Sequence, residues 1–188
     1  MRADSTSAQY TAPRCGESTG ATGRTWRSLL SFPSLSTKEI PCNAQIISAS
    51  LSLVGGTDYS TTASNYRIYR MKRSWTSAAT WNNYDGTNAW TSAGAFHAND
   101  CEQTGIGLLN YAASGEEGKT RLMSLTPGAI QGMVSGSFIN NGFLLKSDTE
   151  LNDAWSLSGV VFLYIVYSIQ RTRRGIDLLG RHERRLVY

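Results

Sequence analysis

Cysteine and histidine are scarce in this chain, and their placement excludes several kinds of chemistry at once. Only Cys15, Cys42 and Cys101 occur, far apart and without CxxC spacing, so neither a zinc ribbon nor a thioredoxin-like motif is present. An odd count argues against a complete disulfide framework, and buried free thiols fit folding in a reducing compartment. His97 and His182 have no partner at metal-ligand spacing. Apolar runs are short as well. The longest, Val160–Tyr167, falls far below the ~20 residues that span a bilayer. Residues 1–15 hold no apolar segment of the signal-peptide kind. The expectation is therefore a chain without membrane anchor or secretory leader.

Charge is sparse too, at 17% of residues, and it is unevenly placed. Residues 168–188 contain six arginines (Arg171, Arg173, Arg174, Arg181, Arg184, Arg185) against Asp177 and Glu183, which accounts for the whole formal charge of +4. The body is neutral. A basic tail on a neutral body argues against nucleic-acid binding, which needs a spread positive field.

What the chain does have is period-two alternation. In Ile47–Leu53 the residues Ile47, Ala49, Leu51 and Leu53 share one face and serines take the other, which predicts a half-buried strand. Tyr66–Met71 alternates again, and Trp26–Phe32 and Phe143–Lys146 are further strand candidates. Val160–Tyr167, dense in β-branched and aromatic residues, reads as a central strand closing the fold. Turns are expected at Gly55-Gly56, Asp85-Gly86, Gly115, Gly118 and Asn140-Asn141-Gly142. One short helix is expected after Thr126, with Thr126 as cap, Pro127 in the first turn, and Ile130 and Val134 one turn apart. Many short strands and one helix predict an all-β fold: an antiparallel β-sandwich of jelly-roll type with a C-terminal extension. The division expected is a sandwich over residues 1–167 and a basic arm over 168–188.

No catalytic constellation is visible, so the reading is binding or structural attachment and not an enzyme. Asp148, Glu150 and Asp153 cluster but lack the spacing of a calcium loop, and read as a solvated loop; no cofactor is expected, and calcium has no support. Glu116-Glu117 reads as a charged turn. The best ligand-binding candidates are Trp81, Tyr84 and Trp90 around Asp85-Gly86, since flat aromatic faces stack on sugar rings; the competing reading is that two of them simply cover the core edge. The tail is the other candidate. Arg171, Arg173, Arg174, Arg181, Arg184 and Arg185 alternate irregularly with Ile176, Leu178 and Leu179. On a neighbouring subunit such an arm buries its apolar groups and pairs its arginines with carboxylates.

Several stretches resemble the DNRLRE family, which is related to the disaggregatase repeat and to a class of carbohydrate-binding module. The opening is Arg27-Ser-Leu-Leu-Ser-Phe32 followed by Ile40-Pro-Cys-Asn-Ala-Gln-Ile-Ile-Ser-Ala-Ser-Leu-Ser-Leu53. The middle is Tyr69-Arg-Met-Lys-Arg-Ser-Trp75-Thr76 with Ala79-Thr-Trp81-Asn82. Later come Ile130–Gly136 and Asn140-Asn-Gly-Phe143. The resemblance runs over roughly residues 3–167, and the order of the motifs is more specific than any one of them. Departures fall at polar positions: Ser77 stands where the family has Glu, Ser124-Leu-Thr126 replaces Asp-Val-Thr, and Met133 replaces Trp. The resemblance implies the sandwich but does not carry a sugar or ion site across. Family modules of this kind sit on cell surfaces and in tailed-phage virions. Taken with the lack of a signal-peptide segment, the unpaired cysteines and the tail, which the family does not explain, the expectation is a non-enzymatic module on a large assembly such as a phage virion, a decoration or fibre-like component anchored by the tail to other subunits, copies of itself included. The alternative is a carbohydrate-binding module for acidic polysaccharide, extracellular or at a cell surface.

Overall fold

The apolar–polar alternation becomes antiparallel strands throughout the computed structural model, which describes residues 1, 13–18, 24–36, 39–58, 62–111, 115–150, 153–157, 161–173 and 176–187. In chain order the strands are β1 (Arg14–Ser18), β2 (Arg24–Trp26), β3 (Ser28–Leu30), β4 (Gln45–Asp58), β5 (Ser64–Arg70), β6 (Gly107–Tyr111) and β7 (Thr120–Leu125). Helix α1 (Pro127–Val134) follows, then β8 (Phe143–Ser147), β9 (Trp155–Leu157), β10 (Phe162–Arg173) and β11 (Ile176–Val187).

Eight strands form one curled sheet in the order β3-β8-β5-β6-β7-β4-β10-β11. A single residue pair, Gly107 with Leu125, joins β6 to β7. On either side of that joint lie four strands, and their inward side chains meet in one core. Tyr66, Ile68, Phe143 and Leu145 come from one half, and Leu51, Leu53, Met123, Leu163 and Ile165 from the other. Two halves of one curled sheet facing each other across a shared core make a sandwich-like packing, so the expected antiparallel all-β class holds. A smaller layer, β2-β1-β9, closes on the far end of β4.

Helix α1 begins at Pro127 as expected, but Thr126 makes no side-chain cap bond. The helix is tied to the sheet through Gln131 instead, whose amide accepts from the Ile46 N–H and donates to the Ala44 carbonyl, at 2.8 and 2.9 Å.

Two strand expectations are corrected. The register opposite β10 slips between Val166↔Ser48 and Tyr167↔Ile46, leaving Ile47 as the extra residue of a bulge. Ile46 therefore turns inward, while Ile47, expected in the core, is 49% exposed. Gly55-Gly56 is not a turn: β4 runs through it and exchanges β10 for β9 as partner, with an irregularity between Gly55 and Asp58, while Gly55 still bonds Gly118 and Lys119 just before β7.

The segment from Met71 to Ile106 has almost no regular structure and covers the outer face of β3, β8 and β5. Beneath it Leu29, Tyr69, Met71, Trp90, Cys101 and Leu144 form a second buried cluster. Buried Asp100 staples this segment: its carboxylate accepts from the Thr91 N–H at 2.8 Å, the Thr91 hydroxyl at 3.0 Å and the Arg73 guanidinium at 2.5 Å.

Candidate functional site

The aromatic candidates lie in that covering segment, and they do not form one open platform. Trp90 is 5% exposed, inside the second cluster, with its indole N–H donated to the Thr80 carbonyl at 3.0 Å. Tyr84 is half-buried and meets Trp90 edge to face at 5.8 Å between ring centres. The Arg73 guanidinium sits 4.9 Å from the Tyr84 ring centre. Trp81 is half-buried, with the Arg27 guanidinium 4.8 Å from its ring centre. Each arginine is fixed by a carboxylate, Arg73 by Asp100 and Arg27 by Glu150 in a two-pronged bond of 2.7 and 2.8 Å. Gly94 makes room for this: a Cβ there would lie 2.5 Å from an Arg27 nitrogen and 2.7 Å from the Trp81 ring. Stacked cations of this kind stabilise a loop, and a sugar ring has to compete with them for the π-face.

The acidic loop, expected to be solvated throughout, is exposed at Asp148 but structural at Asp153 and Glu150. Asp153 is fully buried; its carboxylate accepts from the Glu17 N–H and the Thr149 hydroxyl, both at 2.8 Å, and from the Ser147 hydroxyl. The Tyr66 hydroxyl donates to the Asp153 carbonyl. Gly16 lies directly against this point, where a Cβ would sit 2.4 Å from the Asp153 carbonyl oxygen. Burial pushes the Asp153 carboxyl up, but the bonds from Ser147, Glu17, Thr149 and Ser64 outweigh it and hold it below the ordinary carboxylate value. Asp148 pairs with Arg67 at 2.9 Å. With Arg67, Arg27 and these hydrogen bonds already on the three carboxylates, the loop does not fit a calcium ion. Among the described residues no group of three or more His, Cys, Asp or Glu is placed to hold a metal. Glu116 does lie at a turn but is buried, held by two of the Arg121 guanidinium nitrogens, Nε and Nη2, each at 2.6 Å.

The third candidate, the basic tail, is a strand. β10 lies between β4 and β11 over Phe162–Ser168, and the division expected at residue 167 falls inside it. Past Ser168 five further pairs, from Ile169↔Gly180 to Arg173↔Ile176, continue, and among the described residues no third strand lies beside them. This two-stranded ribbon overhangs the sandwich by roughly 16 Å at strand rise. Among the described residues, nothing pairs with the outer edge of β11. Arg171 and Arg173 fall on the overhanging part of β10, and Ile176, Leu178 and Leu179 on that of β11; Arg181 lies opposite Ser168. Arg174 lies outside the described residues. Arg184 and Arg185 are exposed on the body part of β11, with the Arg185 guanidinium 3.4 Å from the Phe162 ring centre. Tyr167 and His182 stack at 5.3 Å.

Sequence reasoning missed one further surface. On the outer face of β4 stand Ser48, Ser50 and Ser52, flanked in register by Leu122 and Ser124 of β7 and by Phe162, Tyr164 and Val166 of β10. Tyr164 is 36% and Leu122 64% exposed. The serine alternation pointed to this face, but its neighbours depend on strand order. No family model, curated protein or solved structure matches this chain.

Proposed function

We propose that this chain is a non-enzymatic structural or attachment protein, a DNRLRE-like sandwich displayed on a larger assembly such as a phage virion and docked through its C-terminal hairpin. The overhanging β10–β11 ribbon carries the reading. A two-stranded ribbon is marginal in water on its own, and an open edge strand of 12 residues is a template for pairing with another chain. The ribbon and edge also hold the chain's whole net charge, separately from the neutral body.

Ser168 and Arg181 are paired neighbours, so the overhang can be cut out and the strands rejoined by a two-residue Asn-Gly turn. The shortened chain is expected to fold with a nearly unchanged melting temperature and to lose incorporation into its parent particle or oligomer. Normal incorporation of a folded, shortened chain would refute attachment through the ribbon.

A second reading, a carbohydrate-binding module for acidic polysaccharide, is favoured by one observation. The outer face of β4 and β10 sets the Ser48 and Ser50 hydroxyls beside the Tyr164 ring, which is 36% exposed with the Arg185 guanidinium 5.7 Å from its centre, an arrangement suited to a flat sugar chain that carries acid groups. Saturable quenching of intrinsic fluorescence by polysaccharides, lost in Tyr164→Ala, would move the function to this reading.

A further inference from the structure

We infer that the partner docked on the open edge of β11 is a second copy of this chain, joined by antiparallel β11–β11 pairing about a two-fold axis at His182. This rests on the attachment reading above and names its partner. The strand itself selects the register. Two identical edges brought together by a two-fold axis run antiparallel, and opposite residues in such a pair share a face. Even-numbered positions of β11 therefore oppose even, and odd oppose odd.

Four centres, Gly180 to Glu183, pair nine or more residues of β11 with the other copy, and charge separates these registers. Centring on Arg181 sets that arginine against its own copy, and centring on Glu183 sets Glu183 on itself and Arg181 on Arg185. Centring on Gly180 sets Asp177 against Glu183. Each of these places like charges directly opposite, which is unfavourable. Centring on His182 sets Arg181 opposite Glu183 and Leu178 opposite Leu186, each twice across the axis. It also leaves Asp177 diagonal to Arg185. Arginines along an edge deter indiscriminate strand addition, so a register that matches them to acids selects its partner. In this arrangement each overhanging ribbon gains a neighbour: residues Asp177–Gly180 of one copy lie beside residues Arg184–Val187 of the other. The eight-stranded sheets of the two copies become continuous.

Sedimentation of the full chain over a concentration series is expected to show a monomer–dimer equilibrium. Arg181→Glu is expected to weaken the dimer about tenfold or more, by placing acid opposite acid twice. The exchange Arg181→Glu with Glu183→Arg is expected to restore it, which a merely misfolded strand cannot do. In a Cys42→Ser background, which removes the exposed thiol, His182→Cys is expected to form a disulfide-linked dimer on mild oxidation, because the axial pair comes within disulfide reach. Arg184→Cys, opposite Gly180, is expected to stay monomeric on the same gel. A full chain that is monomeric at all concentrations, or a charge exchange that fails to restore the dimer, overturns the inference. A monomeric chain that still enters its parent particle only with the ribbon present leaves the attachment reading standing and shows the partner to be a different chain.

Discussion

Replacing Asp153 by Ala removes a carboxylate that draws together segments far apart in sequence. The Ser147 and Thr149 hydroxyls can turn towards Ser64, which already lies 2.7 and 3.0 Å away, so their loss is partial, about 1 kcal/mol each. The Glu17 N–H has no such freedom. Left without an acceptor beside β1, it costs about 1–3 kcal/mol. The total of about 3–5 kcal/mol corresponds to a fall in melting temperature of about 6–20 °C for a domain of this size. Asp148→Asn is the control: its carboxylate is 28% and its partner Arg67 37% exposed, and solvent screens such a pair so that its loss is small. The sign with pH follows from the lowered Asp153 carboxyl. Its contribution is complete above the ordinary carboxylate value of about 3.9 and is lost as pH falls through the lower folded value. Thermal and urea unfolding of both variants, at neutral and acid pH, measure this directly. Equal, small losses at Asp153 and Asp148 would refute the claim that the acidic loop is structural at Asp153.

Leu51→Ala and Ile68→Ala, both fully buried, are each expected to cost about 2–5 kcal/mol in urea unfolding. Ile47→Ala, on the exposed side of the bulge, is expected to stay within about 0.5 kcal/mol; a loss as large as that of Leu51 would restore the unbulged strand phase. Thiol labelling at pH 8 is expected to modify Cys42 rapidly in the native chain. Cys15 and Cys101 should react only on unfolding, because burial raises both thiols, Cys101 to about 11. Three equally fast thiols would show that the two inner cysteines are not enclosed.

The inward rows of β4 and β5 are legible in the sequence because one side of each strand meets the core and the other does not. Leu51, Leu53, Tyr66 and Ile68 all lie in that core. The phase fails at Ile47, where a bulge opposite Val166 and Tyr167 adds one residue; nothing local in Gln45–Ala49 encodes the partner strand. Asp153 was unreadable for a similar reason, since its backbone donor Glu17 is 136 residues away. Trp81, Tyr84 and Trp90 are recognisable as neighbours, and the reading that two of them cover the core edge describes Trp90 and Tyr84. The cations over Trp81 and Tyr84 come from Arg27 and Arg73, outside the aromatic stretch. Strand β11 was hidden because Gly180 and the arginines break the hydrophobic alternation that marks a half-buried strand. Its partner β10 supplies the order instead.

Hydrogen exchange along β11 tests the central claim most directly, with the chain free at low concentration and then in its assembled form. In the free chain, the alternate amides of residues 176–187 that face away from β10 are expected to exchange fast. On assembly these same amides should become protected by an order of magnitude or more, as expected for newly paired edge strands, while β5 and β8 stay unchanged. Protection of β11 that is identical in both states, with changes confined to the Met71–Ile106 covering segment or the Tyr164 face, would contradict attachment through the C-terminal strand.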